Sequence, residues 1–241
     1  MKIHVIYIDQ SSKIREQVRS VDDKTWKELP IPAGLPAPIN TSKISSGICH
    51  DTGNGHHWVF FSSLQDGLVH VVELRKESNG GDWVERKDLP QEFGTSLSGT
   101  AIATSLTDPT TFMLFQASNK DIFRVEGGYE EWDKSKTKVV VPGSQTIHRS
   151  PLASCIDSSG STEKYYMFFV GDIDGKNHVQ SLIDGKRATI AVWTPGSFIG
   201  AAMHNGKPHL FVNEVFQAVP RLSTYTYDGS SWTSLGAVNT N

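Results

Sequence analysis

The sequence predicts an all-β protein, a five-bladed β-propeller with four antiparallel strands per blade and a first blade lacking its inner strand. Three observations carry this. Short runs with period-2 alternation, or rich in β-branched and aromatic residues, recur between turn residues, among them Ile3–Ile8, Trp58–Phe61, Leu68–Leu74, Thr111–Phe115, Tyr165–Val170, His209–Val212 and Leu222–Tyr227. No window of about 12 residues carries a 3.6-residue apolar period, so helices are not expected. The strands also repeat. His4-Val5-Ile6-Tyr7, Trp58-Val59-Phe60-Phe61, Phe112-Met113-Leu114-Phe115 and Tyr166-Met167-Phe168-Phe169 start 54 residues apart each time, and His209-Leu210-Phe211-Val212 follows after 43.

Each copy then reads in order. A segment of small residues comes first, as in Gly47-Ile48-Cys49-His50, Ala101–Ser105, Ala153–Asp157 and Gly200–His204, suited to an inner strand where blades crowd an axis. The aromatic strand is second, a further strand third, and an outer strand with a tryptophan closes the unit: Trp26, Trp83, Trp132, Trp193 and Trp232. Four strands in a unit of this length are the signature of a propeller blade. The copies run over about 1–41, 42–95, 96–149, 150–196 and 197–241, a single domain. The first begins directly at its second strand, so about 19 strands are expected in all.

Composition narrows the function. The chain has 241 residues, 37% of them hydrophobic, with 23 Lys+Arg against 26 Asp+Glu and a net charge of −3. It lacks the basic excess of a nucleic-acid binder. No run approaches the roughly 20 apolar residues of a membrane span. Met1-Lys2-Ile3-His4-Val5 alternates instead of forming a leader, which points to the cytoplasm. Cys49 and Cys155 form neither a disulfide framework nor a metal motif and read as small core residues. P-loop, G-x-G-x-x-G and H-E-x-x-H patterns are absent, so no cofactor and no metal are expected. His56-His57 are adjacent and would point to opposite faces of a strand. Arg75-Lys76-Glu77 reads as a solvated hairpin tip.

The run from His4 to Glu16, followed by Asp22-Asp23-Lys24-Thr25-Trp26, resembles a blade of the fungal fucose-specific lectins. The stretch Leu222 to Tyr227, with Asp228-Gly229-Ser230-Ser231-Trp232, is similar to the third and fourth strands of such a blade. The resemblance implies the propeller fold and sugar sites built from an Arg opening the second strand and a Glu twelve residues on. Here the Arg position holds His4, Trp58, Phe112, Tyr166 and His209. The Glu position holds Glu16, His70, Arg124 and His178, with Arg221 or Thr224 in the last copy. No copy carries both halves at that spacing, and imidazole does not reproduce the fork of a guanidinium.

Two expectations of function follow. The first is a cofactor-free cyclisation enzyme of fungal secondary metabolism, by analogy with the lectin-like hetero-Diels–Alder cyclases that join tropolone quinone methides to terpenes. Its catalytic groups would be His50, Asp157 and His204, at inner-strand ends beside Ser105, together with Arg149 over the cavity mouth. Trp58, Phe112 and Tyr166 would line the cavity for a flat polyketide or terpenoid, and catalysis would come from positioning and a hydrogen-bond donor. The same residues also suit plain strand caps and packing between blades. The second expectation is a cytosolic lectin with altered sugar preference, its site around His4, Tyr7 and Glu16. A propeller scaffold for another protein, and a homodimer, are left open.

Overall fold

In the computed structural model the described residues are 2–40, 42–50, 55–77, 81–86, 101–106, 111–127, 132–216 and 219–237. They contain nineteen strands in five antiparallel sheets, each a meander in chain order. The first blade has three strands, β1 (Lys2–Ile8), β2 (Ile14–Ser20) and β3 (Lys27–Leu29). The second has β4 (Ser45–His50), β5 (Gly55–Gln65), β6 (Leu68–Glu77) and β7 (Val84–Arg86). The third has β8 (Ile102–Leu106), β9 (Thr111–Gln116), β10 (Ile122–Gly127) and β11 (Trp132–Val141). The fourth has β12 (Leu152–Asp157), β13 (Lys164–Ile173), β14 (Lys176–Ile183) and β15 (Lys186–Val192). The fifth has β16 (Ile199–His204), β17 (Lys207–Phe216), β18 (Val219–Tyr227) and β19 (Trp232–Ala237). The expected boundary at residues 95 and 96 lies outside the described residues. No helix among the described residues is long and apolar enough to cross a membrane.

Alternation along the second strands assembles the core. In β5, Val59 and Phe61 pack toward the first blade, while Trp58 and Phe60 pack toward the third. In β9, Met113 and Phe115 face the second blade and Phe112 and Leu114 the fourth. In β13, Met167 and Phe169 face the third blade and Tyr166 and Phe168 the fifth. A strand covered on both faces has no reason to alternate apolar with polar, so these strands read as unbroken apolar runs. Four such clusters tie consecutive blades together. None of the four combines residues of the first and fifth blades.

The turns follow the usual chemistry of positive φ. Asp66-Gly67, Asp174-Gly175, Asp184-Gly185 and Asn205-Gly206 all have both residues in the left-handed region, the geometry that a right-twisted two-residue hairpin requires. These hairpins set the register in the second, fourth and fifth blades, and the register decides which polar groups meet.

Candidate functional site

The polar groups gather where consecutive blades meet. Glu16 in β2 pairs across the strands with Ile6, so it faces the second blade, as His4 does. It is fully buried, yet His4 Nδ1 lies 2.9 Å from its Oε1, while Lys76 Nζ and Trp83 Nε1 each donate to Oε2 at 3.0 Å. Burial pushes against ionisation, but these three partners hold the carboxyl below the usual glutamate range. The His57 ring, buried in β5, stands edge-on to the His4 ring with centroids 4.4 Å apart.

The register identifies the equivalents of Glu16 in the other blades. Glu16 lies opposite Ile6, Glu73 opposite Phe60, Arg124 opposite Leu114, Ser181 opposite Phe168 and Thr224 opposite Phe211. His70 and His178, placed there by a twelve-residue spacing, lie instead opposite Ser63 and Gly171. The cause is hairpin length: the second, fourth and fifth hairpins are three residues longer than the first and third.

Cation and carboxylate are paired at three consecutive blade interfaces, the first through Lys76 and Glu16. In the second, Arg75 donates to Glu73 Oε1 at 3.0 Å through Nη2, its guanidinium lies 5.2 Å from the Trp58 ring, and Trp132 Nε1 donates to Glu73 Oε2 at 2.7 Å. Burial nevertheless raises the Glu73 carboxyl above its ordinary value, against the Arg75 charge and the Trp132 bond. In the third, the two halves have exchanged strand positions. Arg124 takes the carboxylate's place, and Glu126, opposite Phe112, pairs with it. The Arg124 guanidinium sits 4.1 Å from the centroid of Tyr165 in the next blade. Arg75 and Lys76 are thus interface residues within β6, not a solvated tip. Sequence spacing missed them because Lys76 meets Glu16 60 residues away and Arg75 meets Glu73 two residues back on the same strand, not at the twelve-residue offset.

The remaining expected residues sit at inner-strand ends and in the loop before β12. His50 pairs with Gly55, whereas Asp157 and His204 pair with Lys164 and Lys207. Counted from the second-strand repeat, Cys49 is level with Asp157 and His204, and His50 is one residue out of step. Ser105 pairs with Phe112 and stands two residues short of that level. The side chains of His50 and Ser105 lie outside the described residues. Asp157 accepts from Ser159 N and Oγ in a turn, which lowers its pKa. His204 is exposed at a hairpin, with Nε2 3.1 Å from Asn205 Nδ2 and its ring against His209. Arg149 is exposed with a φ of 58° in the loop after β11.

Trp58, Phe112 and Tyr166 are buried in three different interblade clusters, so they form no common lining. Tyr7 lies three residues from His4 and so takes the opposite face of β1, where its hydroxyl accepts from Gln17. A cavity of about 590 Å³ is walled by Arg15, Glu28, Ile31, Leu35, Pro36 and Leu74 around the proline-rich segment 30–38 that follows β3; none of the residues expected around the axis lines it. No observation on the described residues favours the cyclisation expectation.

Comparison with known proteins places this geometry. The six-bladed fucose-recognising lectin of Aleuria aurantia superposes with a TM-score of 0.73 over 99% of this chain and 74% of its own, at 16% identity. The chain has the propeller fold of the fungal fucose lectins. SapL1 lectin, solved with α-methyl fucoside, matches with a TM-score of 0.71 at 19% identity over 99% of this chain and 76% of its own. A triple arginine-to-alanine mutant of the Arthrobotrys oligospora protein AofleA matches with a TM-score of 0.71 at 12% identity, over 98% and 69%. No protein-family model and no curated protein sequence matches. This lectin-like fold has five blades among the described residues where the Aleuria protein has six.

Proposed function

We propose that the protein is a carbohydrate-binding lectin whose working site is the pair Arg124–Glu126 with the Tyr165 ring. The observation that carries this reading is the recurrence of a cation–carboxylate pair at three consecutive blade interfaces, on a propeller of lectin type. Guanidinium and carboxylate side by side offer donors and acceptors to neighbouring ring hydroxyls, and an aromatic face covers the apolar side of a sugar. Burial separates the three pairs. Glu16 is 0% exposed and Glu73 1%, whereas the Glu126 side chain is 15% exposed beside Arg124 at 11%. In the first two pairs the carboxylate is buried beneath its own partners. The third has the most exposed carboxylate, and the sugar is assigned to it on that ground.

The fold neighbours include lectins solved with fucosides, so fucosides are the first ligands to offer. A glycan array tests the reading. Binding that falls about tenfold or more in Arg124→Ala and Glu126→Gln, and is unchanged in His204→Ala, is the expected result. A silent array, with stabilisation by a flat apolar ligand that disappears in His204→Ala, would overturn it and return the function to the axial groups.

A further inference from the structure

We infer that His4, Glu16 and His57 form a binding site for a divalent transition metal of the zinc class, where the first and second blades meet. Each offers one ligand atom, and the three atoms lie within 4.8 Å of one another. Two imidazoles and one carboxylate are the donor set of zinc-class ions. Calcium and magnesium take oxygen ligands, so they fit poorly. Bonds of about 2.0–2.2 Å set tetrahedral ligands roughly 3.3 Å apart. His4 Nδ1 and Glu16 Oε1, at 2.9 Å, are already that close, and the His57 ligand atom, within 4.8 Å of both, has to move inward by about 1.5 Å at most.

The supports are rigid. The ligands come from three strands, β1, β2 and β5, in two sheets packed through Val59, Phe61 and Leu74. Lys76 and Trp83 hold Glu16 Oε2, which orients the carboxylate as outer-shell partners do at metal sites, and the ion takes the place of the proton shared by His4 Nδ1 and Oε1. The ion binds against the Lys76 charge, so its affinity falls short of a closed structural zinc site. His4, the most exposed of the three at 15%, marks the side on which a fourth position opens to water. Sequence reading set His57 aside because its neighbour His56 cannot share an ion with it; the true partners lie 41 and 53 residues away in the chain.

The inference does not rest on the carbohydrate reading, which concerns the third blade. Its test is metal binding by the full chain without sugar. Titration with Co²⁺ is expected to give one ion per chain with the intense visible absorption of a four-coordinate centre, displaced by Zn²⁺. Affinity is expected to fall at least about tenfold in His57→Phe and in Glu16→Gln, with circular dichroism reporting that each variant is folded. Should either variant fail to fold, the histidine ring resonances of the unmodified chain decide. One equivalent of Zn²⁺ then shifts those of His4 and His57 and leaves His204 and His209 in place. Absence of stoichiometric binding, or shifts confined to the exposed His204–His209 pair, would overturn the assignment.

Discussion

The indole Nε1 of Trp132 donates to Glu73 Oε2 at 2.7 Å, joining the start of the third blade's outer strand to the third strand of the second blade. The same link recurs from Trp83 to Glu16 at 3.0 Å and from Trp232 to Ser181 Oγ at 3.0 Å. At the interface between third and fourth blades both halves are changed together. Arg124 has no acceptor to offer, and β15 opens on Lys186-Arg187-Ala188 with no indole. Trp193 lies beyond the end of β15 and donates instead to the Ser197 carbonyl. Trp132→Phe keeps the ring but strands a buried carboxyl oxygen, so it should cost about 2 kcal/mol in urea unfolding. A change below about 0.5 kcal/mol would show the link to be incidental.

Glu73 gives the protein a pH dependence of known sign. Burial raises its folded pKa above the usual 4.5, so the folded chain holds the proton more tightly than the unfolded chain does. As pH rises from 4.5 the unfolded state ionises first, and stability contributed by Glu73 at lower pH is lost. Glu73→Gln keeps an acceptor for Trp132 and removes the titration. Unfolding free energies measured from pH 4 to 7 should therefore fall in the parent relative to Glu73→Gln. A parent that gains on the variant with rising pH would reverse the assignment.

Cys155 is buried in the cluster between fourth and fifth blades, and burial, with Asp157 nearby, pushes its thiol up to about 12. The thiolate is the reactive form, so a thiol reagent at pH 8 should leave Cys155 unmodified in the folded chain and label it once the chain is unfolded. Peptide mapping by mass spectrometry distinguishes it from Cys49.

Phe168 has no exposed surface and meets the Trp232 ring edge-on at 5.4 Å. Phe168→Ala should cost about 3–5 kcal/mol through lost burial and the cavity left behind. Leu235→Ala, at a position 56% exposed in β19, should stay within about 0.5 kcal/mol. Equal effects in thermal melts would deny that the interblade clusters carry the stability.

Gly143 opens the short 3-10 turn Gly143–Gln145, and its N–H donates to Asp121 Oδ1 at 2.6 Å. A Cβ there would run into the Asn119 carbonyl oxygen, with backbone atoms of Asp121 and Lys120 at 3.1 Å. Backbone on every side has little room to move, so Gly143→Ala should destabilise by about 1–3 kcal/mol. An unchanged melting temperature would mean that the turn yields.

The blade plan was legible in the chain itself. A second strand buried on both faces must be apolar throughout, as β5, β9 and β13 are, and four apolar segments at a 54-residue period, each in a unit of short strands, leave little but a propeller. The polar sites were not legible. A fixed twelve-residue spacing locates Glu16, yet three longer hairpins shift the register, replacing His70 by Glu73 and His178 by Ser181, and the separate β4–β5 pairing leaves His50 a residue out of step with Asp157 and His204. His4, His57, Lys76 and Trp83 come from two blades, and nothing in their spacing relates them. Only the docking of one blade against the next brings them around Glu16, because a side chain on a blade face acquires its partners from the neighbouring sheet rather than from its own.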